Sequence, residues 1–341
     1  MKNPRITIHD LAKELGLSSS TVSRALQDNP RISEKTRKDV TELAAKWNYQ
    51  PNSNASNLRK GRSNTIGVLV PRISRHFFSN AIAGIEAVSS AAKRNVVIFQ
   101  SHESLENEKA GLEAFLRIPV DGFIMSLSAE TRQYEHIREV LKRDIPIVFF
   151  DRVLEEENNY RVVLDDYAGA FQATEHLIRQ GCRKIAFMGG PDYLNNYRER
   201  KRGFTDALEK NNLSVNPGWM AEQALTREEG AAFVEKIFGQ SVQNRPDGLF
   251  SCSDYSALGA ILFMKKTGIR IPEEVAVAGF ANEPFTEFME PAMTSVDQSA
   301  EEMGQSAAEM LFRIIDSGDA EKSAKQQYIQ PKLVIRKSTM K

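Results

Sequence analysis

The first fifty residues combine short apolar stripes with capping residues in a pattern that predicts three helices. The first stripe repeats at helical spacing and consists of Ile8, Leu11, Ala12 and Leu15. Thr7 precedes it and Asp10 follows three residues later, a pair that resembles a capping box. Gly16 predicts the end of this helix, because glycine is favoured just after a last helical turn.

A second and a third helix follow with caps of their own. Ser18 is the predicted N-cap of a helix over residues 19–26, and Ser33 that of a helix over about residues 34–48. Two short helices joined by a tight glycine turn, closed by a third helix, predict an all-α helix-turn-helix domain over residues 1–50. The N-terminal turn of the second helix is the part of such a domain that enters the major groove of DNA.

Short hydroxyl side chains crowd that N-terminal turn and suit a surface that faces a groove. They let the backbone approach base edges and phosphates, and they can donate hydrogen bonds to either. Arg24 is the one long donor on this helix and can hold a guanine edge with two hydrogen bonds. For any single position the alternative is a helix cap or a solvated surface residue. The predicted DNA-contacting residues of this domain are Thr7, Ser18, Ser19, Ser20, Thr21, Ser23 and Arg24.

From about residue 63 the pattern changes to short apolar runs that alternate with amphipathic helical stretches. This alternation is typical of parallel sheets covered by helices, and the runs are too many for one compact sheet. We therefore predict a two-lobed α/β domain with parallel sheets over residues 63–341. The apolar runs are IGVLV, NVVIFQ, DGFIM, IPIVFF, RVVL, KIAFMGG, DGLFSCSD and VAVAGF, and the helix candidates include residues 80–94, 166–180, 200–211 and 254–266.

The chain is predicted to pass between the lobes near residues 164–166, 291–298 and 326–330. Lobe 1 then comprises about residues 63–164 and 292–326, and lobe 2 comprises about residues 165–291 and 327–341. Ligands of such sheets bind beyond the carboxyl ends of the strands, where this sequence places polar and aromatic side chains. Both lobes therefore direct polar loops at a shared cleft, which predicts a hinged receptor for a small molecule.

Composition and charge narrow the class of protein. The first 62 residues carry 12 Lys and Arg against 6 Asp and Glu, and the remainder carries 33 against 39, so the net charge of zero hides a basic N-terminal segment. A basic segment on an acidic body suggests contact with a polyanion. No apolar run reaches the roughly 18 residues of a membrane span, and the first residues lack a signal-peptide core. The two cysteines suggest neither a disulfide framework nor a metal cluster, so we expect a cytoplasmic protein.

Two other classes of protein compete with a regulator. A cytoplasmic α/β enzyme would need a catalytic constellation. The sequence has no G-x-G-x-x-G, P-loop, HExxH or G-x-S-x-G motif, and its five histidines show no metal spacing. A solute-binding receptor would need export and would leave the basic segment without a purpose. We therefore predict no catalytic residue, no metal site and no cofactor.

The sequence resembles the LacI/GalR family of bacterial transcription regulators. The resemblance is carried by ITIHDLAKELGLSSSTVSRALQ and by RISEKTRKDVTELAAKWNYQPNSNASNLRKGRSNTIGVLVP, and it continues over essentially the whole chain. It implies a helix-turn-helix domain joined to an effector domain with the two-lobed fold of type I periplasmic binding proteins. It also implies a homodimer that binds a near-palindromic operator in double-stranded DNA and acts as a repressor. Such a protein responds to a small carbohydrate-like effector and has no membrane partner.

Residues 51–62 form the predicted hinge. The seven residues from Asn52 to Leu58 are too few for a stable isolated helix, so the segment should fold only against a partner. The resemblance implies that paired hinge helices bind the minor groove, where a leucine from each subunit inserts between base pairs and kinks the duplex. A flexible tether is the alternative. The hinge residues implied to contact DNA are Asn52, Ala55, Leu58 and Arg59.

The resemblance also implies an effector site and a dimer interface. Arg200 matches a ligand-gripping arginine, with a surface ion pair as the alternative. For Phe77 and Phe78, which are implied to flank the ligand, the alternative is packing in the core. Where the family has an aspartate after a GF pair, this chain has Ala281 and then Asn282, which is the predicted substitute. Dimer contacts are expected on the helix after RHFFS and on the helix that contains SALGAILFM. The implied ligand-binding residues are Phe77, Phe78, Asp151, Asn196, Arg200, Asp254 and Asn282.

Overall fold

A computed structural model describes residues 6–49, 63–239, 245–317 and 325–341 of the chain. The chain divides into two compact units, Met1–Ser63 and Asn64–Lys341. Each unit has a hydrophobic core of its own. Within the described residues, no helix combines the length and the apolar character that a bilayer crossing requires.

The helices are α1 (Ile8–Glu14), α2 (Ser19–Leu26), α3 (Glu34–Lys46), α4 (His76–Ala91), α5 (Leu105–Arg117), α6 (Glu135–Leu141), α7 (Asp166–Arg179), α8 (Asn195–Lys210), α9 (Arg227–Phe238), α10 (Asp254–Lys266), α11 (Phe285–Phe288) and α12 (Ala300–Ser317). The strands are β1 (Thr65–Val70), β2 (Asn95–Gln100), β3 (Phe123–Met125), β4 (Ile147–Phe150), β5 (Tyr160–Leu164), β6 (Ile185–Met188), β7 (Met220–Ala221), β8 (Gly248–Ser251), β9 (Ala276–Phe280), β10 (Thr294–Asp297), β11 (Gln326–Ile329) and β12 (Lys332–Val334). Single 3₁₀ turns span Pro217–Trp219 and Lys337–Thr339.

The N-terminal unit confirms the three predicted helices, although α3 ends at Lys46 rather than near residue 48. The backbone N–H and the hydroxyl of Thr7 donate to the Asp10 carboxylate at 2.8 and 2.7 Å, which confirms the capping box. Ser18 and Ser33 cap α2 and α3 by accepting hydrogen bonds from backbone N–H groups. The buried core of this unit consists of Leu11, Ala12, Val22, Ala25, Val40 and Ala44.

Lobe 1 is built on a sheet with the strand order β11-β5-β4-β3-β1-β2. Its paired strands run parallel, as predicted. Helices α4 and α12 approach at backbone contact, because a Cβ on Gly84 would lie 2.2 Å from the carbonyl oxygen of Glu301. A Cβ on Gly304 would lie 2.0 Å from the carbonyl oxygen of Ala81. Glycines at both positions therefore allow α12, the helix that follows the second crossing, to pack directly on α4 of lobe 1.

Lobe 2 has the strand order β12-β10-β9-β8-β6-β7. Strands β6 to β10 pair in parallel, whereas β12 is antiparallel to β10 at the edge of the sheet. Every residue of β6, β8 and β9 is buried. Burial on both faces explains why these strands appear in the sequence as continuous apolar runs rather than as alternating patterns.

The chain crosses between the lobes within the predicted windows, but two boundaries lie later than the predicted lobe limits. Leu164 ends β5 in lobe 1 and Asp166 begins α7 in lobe 2. Residues 294–297 form β10 in the sheet of lobe 2, and residues 327–329 lie in β11 in the sheet of lobe 1. The predicted limits assigned both segments to the other lobe. An apolar run indicates a strand, but it does not indicate which sheet the strand joins.

Two helices begin earlier than their apolar stripes predict. Helix α4 begins at His76 rather than at residue 80, and α8 begins at Asn195 rather than at residue 200. The first turn of each helix carries side chains that line a cavity, Phe77 and Asn196 among them. The predictions for α7 and α10 were correct, apart from the last residue of α7.

Helices α9 and α10 touch at backbone distance through two glycines. A Cβ on Gly259 would lie 1.8 Å from the carbonyl oxygen of Arg227, and one on Gly230 would lie 2.1 Å from that of Ser256. Both neighbours are main-chain atoms, so the helices themselves would have to separate.

We predict that Gly259→Ala lowers the free energy of unfolding by about 1–3 kcal/mol, because the added methyl group overpacks this contact. Urea denaturation followed by circular dichroism measures the change. Gly239→Ala is the matched control, since its Cβ would lie 3.3 Å from the nearest carbonyl oxygen and needs a far smaller adjustment. Equal losses in the two variants would contradict the backbone contact.

Candidate functional site

The first turn of α2 carries a connected group of hydroxyls. Ser18 Oγ accepts a hydrogen bond from the Thr21 N–H at 3.2 Å. The same oxygen lies 2.8 Å from the hydroxyls of Ser20 and Thr21. Ser18 and Ser20 are exposed and Thr21 is half-buried. Three of the four consecutive hydroxyls therefore form one local network at the helix start, on the surface predicted to face DNA.

The other predicted DNA-contacting side chains of this unit differ in how they are held. Ser19 Oγ lies 2.9 Å from Nδ1 of His9 on α1. Arg24 is exposed and Ser23 is half-buried, whereas Thr7 is engaged in the capping box of α1. The predicted hinge contacts Asn52, Ala55, Leu58 and Arg59 lie outside the described residues.

The second unit contains a cavity of about 460 Å³ at the carboxyl ends of strands from both sheets. We call it the interlobe cavity. Its volume is in the range of pockets that hold small metabolites. The predicted ligand residues that line it are Phe77, Phe78, Asp151, Asn196, Arg200 and Asp254. The two phenylalanines come from the first turn of α4 and pack edge to face, with ring centroids 5.0 Å apart.

Arg200 is one of two buried arginines that line the cavity, the other being Arg152. Its Nε donates to Asp166 Oδ1 at 2.7 Å, and its Nη1 donates to the carbonyl oxygen of Cys252 at 3.1 Å. The guanidinium also lies over the ring of Phe280, 3.7 Å from its centroid. Nη2 is buried and has no hydrogen-bond partner among the described residues. One nitrogen of a fixed guanidinium in the cavity wall thus lacks a hydrogen-bond partner in the part of the chain that the structure describes.

The partner of this arginine is itself buried, and burial raises the pKa of Asp166 to about 7. The positive charge of Arg200 acts in the opposite direction and favours the ionised carboxylate. With the side chains of both partners only 4% exposed, neither charge can be solvated by bulk water. The pair therefore depends on its own hydrogen bonds for compensation.

Asp151 brings a carboxylate to the cavity from the end of β4. It is buried, and its φ of 58° places the backbone in the left-handed region. Asn196 Nδ2 donates to Asp151 Oδ1 at 3.3 Å, and Arg152 Nε lies 3.9 Å from Oδ2. Burial raises the pKa of Asp151, and the nearby Arg152 charge opposes that shift. Arg152 in turn forms a close ion pair with Glu103, at 2.6 Å.

Asp254 differs from the other cavity residues because its two oxygens are occupied within lobe 2. Oδ2 accepts the N–H of Glu283 at 2.8 Å, and Oδ1 accepts the hydroxyl of Ser295 at 2.7 Å. Burial raises the pKa of Asp254 to about 7. Its contacts fix the loop that follows β9, so this residue shapes the cavity wall.

Asn282 is the one predicted ligand residue that does not line the cavity. Its Nδ2 donates to Asp297 Oδ2 at 2.9 Å, and its Oδ1 accepts from Arg336 Nη2 at 2.9 Å. Two consecutive positive φ angles, 128° at Ala281 and 50° at Asn282, turn the loop sharply. The carboxylate that this loop brings to the cavity belongs to Glu283. The sequence places Ala281, Asn282 and Glu283 in the loop after VAVAGF, and the prediction chose Asn282 rather than Glu283, because only the turn decides which of two adjacent side chains faces the cavity.

Several contacts join the two lobes around the cavity and were also missed. The hydroxyl of Tyr193 donates to the carbonyl oxygen of Ala129 at 2.8 Å, and the guanidinium of Arg75 lies 4.3 Å from the centroid of the Tyr255 ring. Asn195 accepts the N–H of Val153 and donates to the carbonyl oxygen of Asp151. The loop GGPDYLNN carried the signal in its polar residues, but the partners lie about 40–65 residues away in sequence.

Comparisons with known proteins agree with both units. Residues 7–52 match the model of bacterial regulatory proteins of the lacI family, and residues 174–339 match the model of a periplasmic binding protein-like domain. The ribose operon repressor of Halalkalibacterium halodurans is 31% identical over 339 residues, with 98% of this chain and 97% of that protein covered. The chain belongs to the LacI family.

Solved structures of regulators give the same result for the fold. The lac repressor dimer bound to operator and the anti-inducer ONPF has a TM-score of 0.87, at 23% identity over 98% of this chain and 99% of that one. The regulator CelR in complex with cellobiose has a TM-score of 0.74, at 26% identity over 98% of this chain and 100% of that chain. The LacI-family protein described here is therefore a DNA-binding transcriptional regulator rather than an enzyme.

We predict that Asp254 makes the stability of this regulator depend on pH. Between about pH 4 and 7 the folded state keeps a proton that the unfolded chain has released. The contribution of Asp254 to the free energy of unfolding therefore falls as pH rises through this window, by at most about 1.4 kcal/mol per pH unit. Urea denaturation from pH 4.5 to 7.5 should give a shallower fall for Asp254→Asn. Asp192→Asn, at a half-exposed carboxylate, is the control, and equal slopes for wild type and Asp254→Asn would contradict the assignment.

Proposed function

We propose that this protein is a homodimeric repressor whose affinity for a near-palindromic operator is set by a small carbohydrate-like effector in the interlobe cavity. The observation that carries the proposal is the unpartnered Nη2 of Arg200 in a cavity that Asp151 also lines, in a chain with a lacI-family DNA-binding unit. A bacterial regulator of this kind works in the cytoplasm, where its DNA lies.

On the DNA side, the proposed contacts are those predicted from the sequence. The exposed hydroxyls at the start of α2 suit phosphates and base edges, and Arg24 suits a guanine edge. The hinge residues Asn52, Ala55, Leu58 and Arg59 are proposed to bind the minor groove on the strength of the family resemblance. In a two-fold symmetric dimer each contact is made twice, once in each half-site of the operator, and the two sets of contacts together provide the binding affinity.

On the effector side, the chemistry of the cavity favours a polyhydroxyl ligand. Aromatic faces from Phe77 and Phe78 suit the apolar surface of a sugar ring. Hydroxyl groups both donate and accept, so they can satisfy the Asp151 carboxylate and the free donor of Arg200 together. The ribose repressor and the CelR–cellobiose complex among the relatives support the same class of ligand. We include Asn196 and Glu283 in this site and assign Asn282 to the wall behind it.

Exposed apolar side chains support the predicted dimer. Leu262 on α10 is 48% exposed, and Phe288 on the neighbouring α11 is 81% exposed. Val97 and Ile98 are also exposed on β2, which is the edge strand of lobe 1. Side chains of this kind bury their surface in subunit interfaces. The effector controls DNA binding only if it binds the two lobe arrangements of the dimer with different affinity.

Arg24→Ala tests the DNA side. We expect it to cost about 1–3 kcal/mol of binding free energy on the preferred operator and to relax preference at one base pair, because a bidentate contact is lost. Fluorescence anisotropy with single-base operator variants measures both effects. Arg31→Ala, an exposed arginine outside α2, is the control for a simple loss of charge. A uniform loss across all sequences with Arg24→Ala would reject base recognition.

Arg200→Ala tests the effector side. We expect the variant to lose the effect of the active sugar on operator affinity, because the fixed guanidinium disappears from the cavity wall. A panel of monosaccharides and disaccharides is added to the anisotropy assay to identify the active compound with wild type. Arg202→Ala, an exposed arginine on the same helix, should keep the response. A normal response in a folded Arg200→Ala protein would place the effector elsewhere.

A further inference from the structure

The hydroxyl of Ser19, at the start of α2, forms a hydrogen bond to helix α1. Its Oγ lies 2.9 Å from Nδ1 of His9, which belongs to α1. The neighbouring Ser18, Ser20 and Thr21 hydrogen-bond to one another instead. Ser19 is half-buried and His9 is exposed, so their contact lies at the surface near the start of α2. Residue 9 therefore has a direct means of influencing a side chain predicted to contact the operator.

The chemistry of this hydrogen bond restricts what Ser19 can offer to DNA. A serine hydroxyl has one proton to donate and two lone pairs to accept with. Where Nδ1 of His9 carries no proton, Ser19 donates to it and presents only lone pairs elsewhere. Where Nδ1 carries a proton, Ser19 accepts from it and keeps its own proton for another partner. In the first state the hydroxyl can only accept from another partner, whereas in the second state it can also donate.

Base edges in the major groove differ in just this respect. Adenine N6 and cytosine N4 are donors, whereas adenine N7, guanine O6 and N7 and thymine O4 are acceptors. A serine with a freely rotating hydroxyl accommodates both kinds of edge. A serine whose hydroxyl is committed to His9 accommodates one kind better than the other.

We propose that His9 is a specificity-determining residue that acts through Ser19. It fixes whether the Ser19 hydroxyl donates or accepts towards the operator, and it thereby sets the preference at one base pair of each half-site. The proposal rests on the proposed placement of the α2 start in the major groove. It assigns to His9 a positioning role and requires no direct contact between the imidazole and a base.

The test uses the full-length protein and operators that carry each of the four base pairs at every half-site position. We expect wild type to discriminate by about three- to tenfold at the Ser19 base pair between donor and acceptor edges, as one hydrogen bond allows. His9→Ala and Ser19→Ala should each remove this discrimination. The double variant should lose no more than Ser19→Ala alone, because both changes act on the same hydrogen bond.

Ser20 provides the matched control, since its hydroxyl is bonded to Ser18 and not to His9. Effects of Ser20→Ala and His9→Ala should add at all positions. His9→Gln is the second variant, because an amide can turn either its oxygen or its nitrogen to Ser19 and should also relax the preference. Thermal melting of each variant checks that the three-helix unit remains folded.

Two results would overturn the role of His9. One is a His9→Ala protein that binds every operator more weakly by the same factor, with the preference profile unchanged. The other is full additivity of His9→Ala and Ser19→Ala at the Ser19 base pair. A wild-type protein with no preference among any of the operators would instead reject the proposed function itself, so the two failures are distinguishable.

Discussion

The buried ion pair between Arg200 and Asp166 joins the parts of lobe 2 that form the interlobe cavity. Asp166 begins α7 directly after the first crossing, and Arg200 lies on α8. The same guanidinium donates to Cys252 after β8 and covers Phe280 at the end of β9. Because both charges are removed from water, each must keep its partner, and loss of one partner of such a pair costs about 3–5 kcal/mol. The ion pair thereby links the wall of the interlobe cavity to the first crossing between the lobes.

That coupling extends to the far side of Asp166. Its carboxylate also lines a second cavity of about 510 Å³, which is bordered by Leu164 and Asp165 of the first crossing and by Gln330 after β11. The ion pair therefore lies between the interlobe cavity and the segments in which the chain crosses from one lobe to the other. Asp166 lies next to the first crossing in sequence and in direct contact with Arg200 in space. A ligand that contacts Arg200 can act through this ion pair on the balance between the two lobe arrangements, provided that it binds them with different affinity.

The sequence predicts the elements of this regulator better than it predicts which side chains face the cavity. Helical spacing and the Ser18 cap located α2, and the helical stretch between two apolar runs located α10, because such patterns are set by neighbours within a few residues. Asp151 and Arg200 were located through the resemblance to the LacI family. Glu283 and Asn282 could not be told apart, because their directions depend on the two positive φ angles at 281 and 282 and on a contact with Arg336. Tertiary partners, not residue type, decide such a turn.

Residues near the end of the chain belong to the core of lobe 2, and this affects the order in which the parts of the protein are completed during synthesis. Ser338 donates to the carbonyl oxygen of Val277, and Thr339 bonds to both His176 and Thr294. Lobe 1 likewise lacks α12 and β11 until residues 300–329 are present. Each lobe therefore has its full set of strands only when its C-terminal segment has been synthesised, whereas the buried core of the three-helix unit lies within the first fifty residues. During synthesis the complete three-helix DNA-binding unit is therefore present before the two-lobed effector domain is complete.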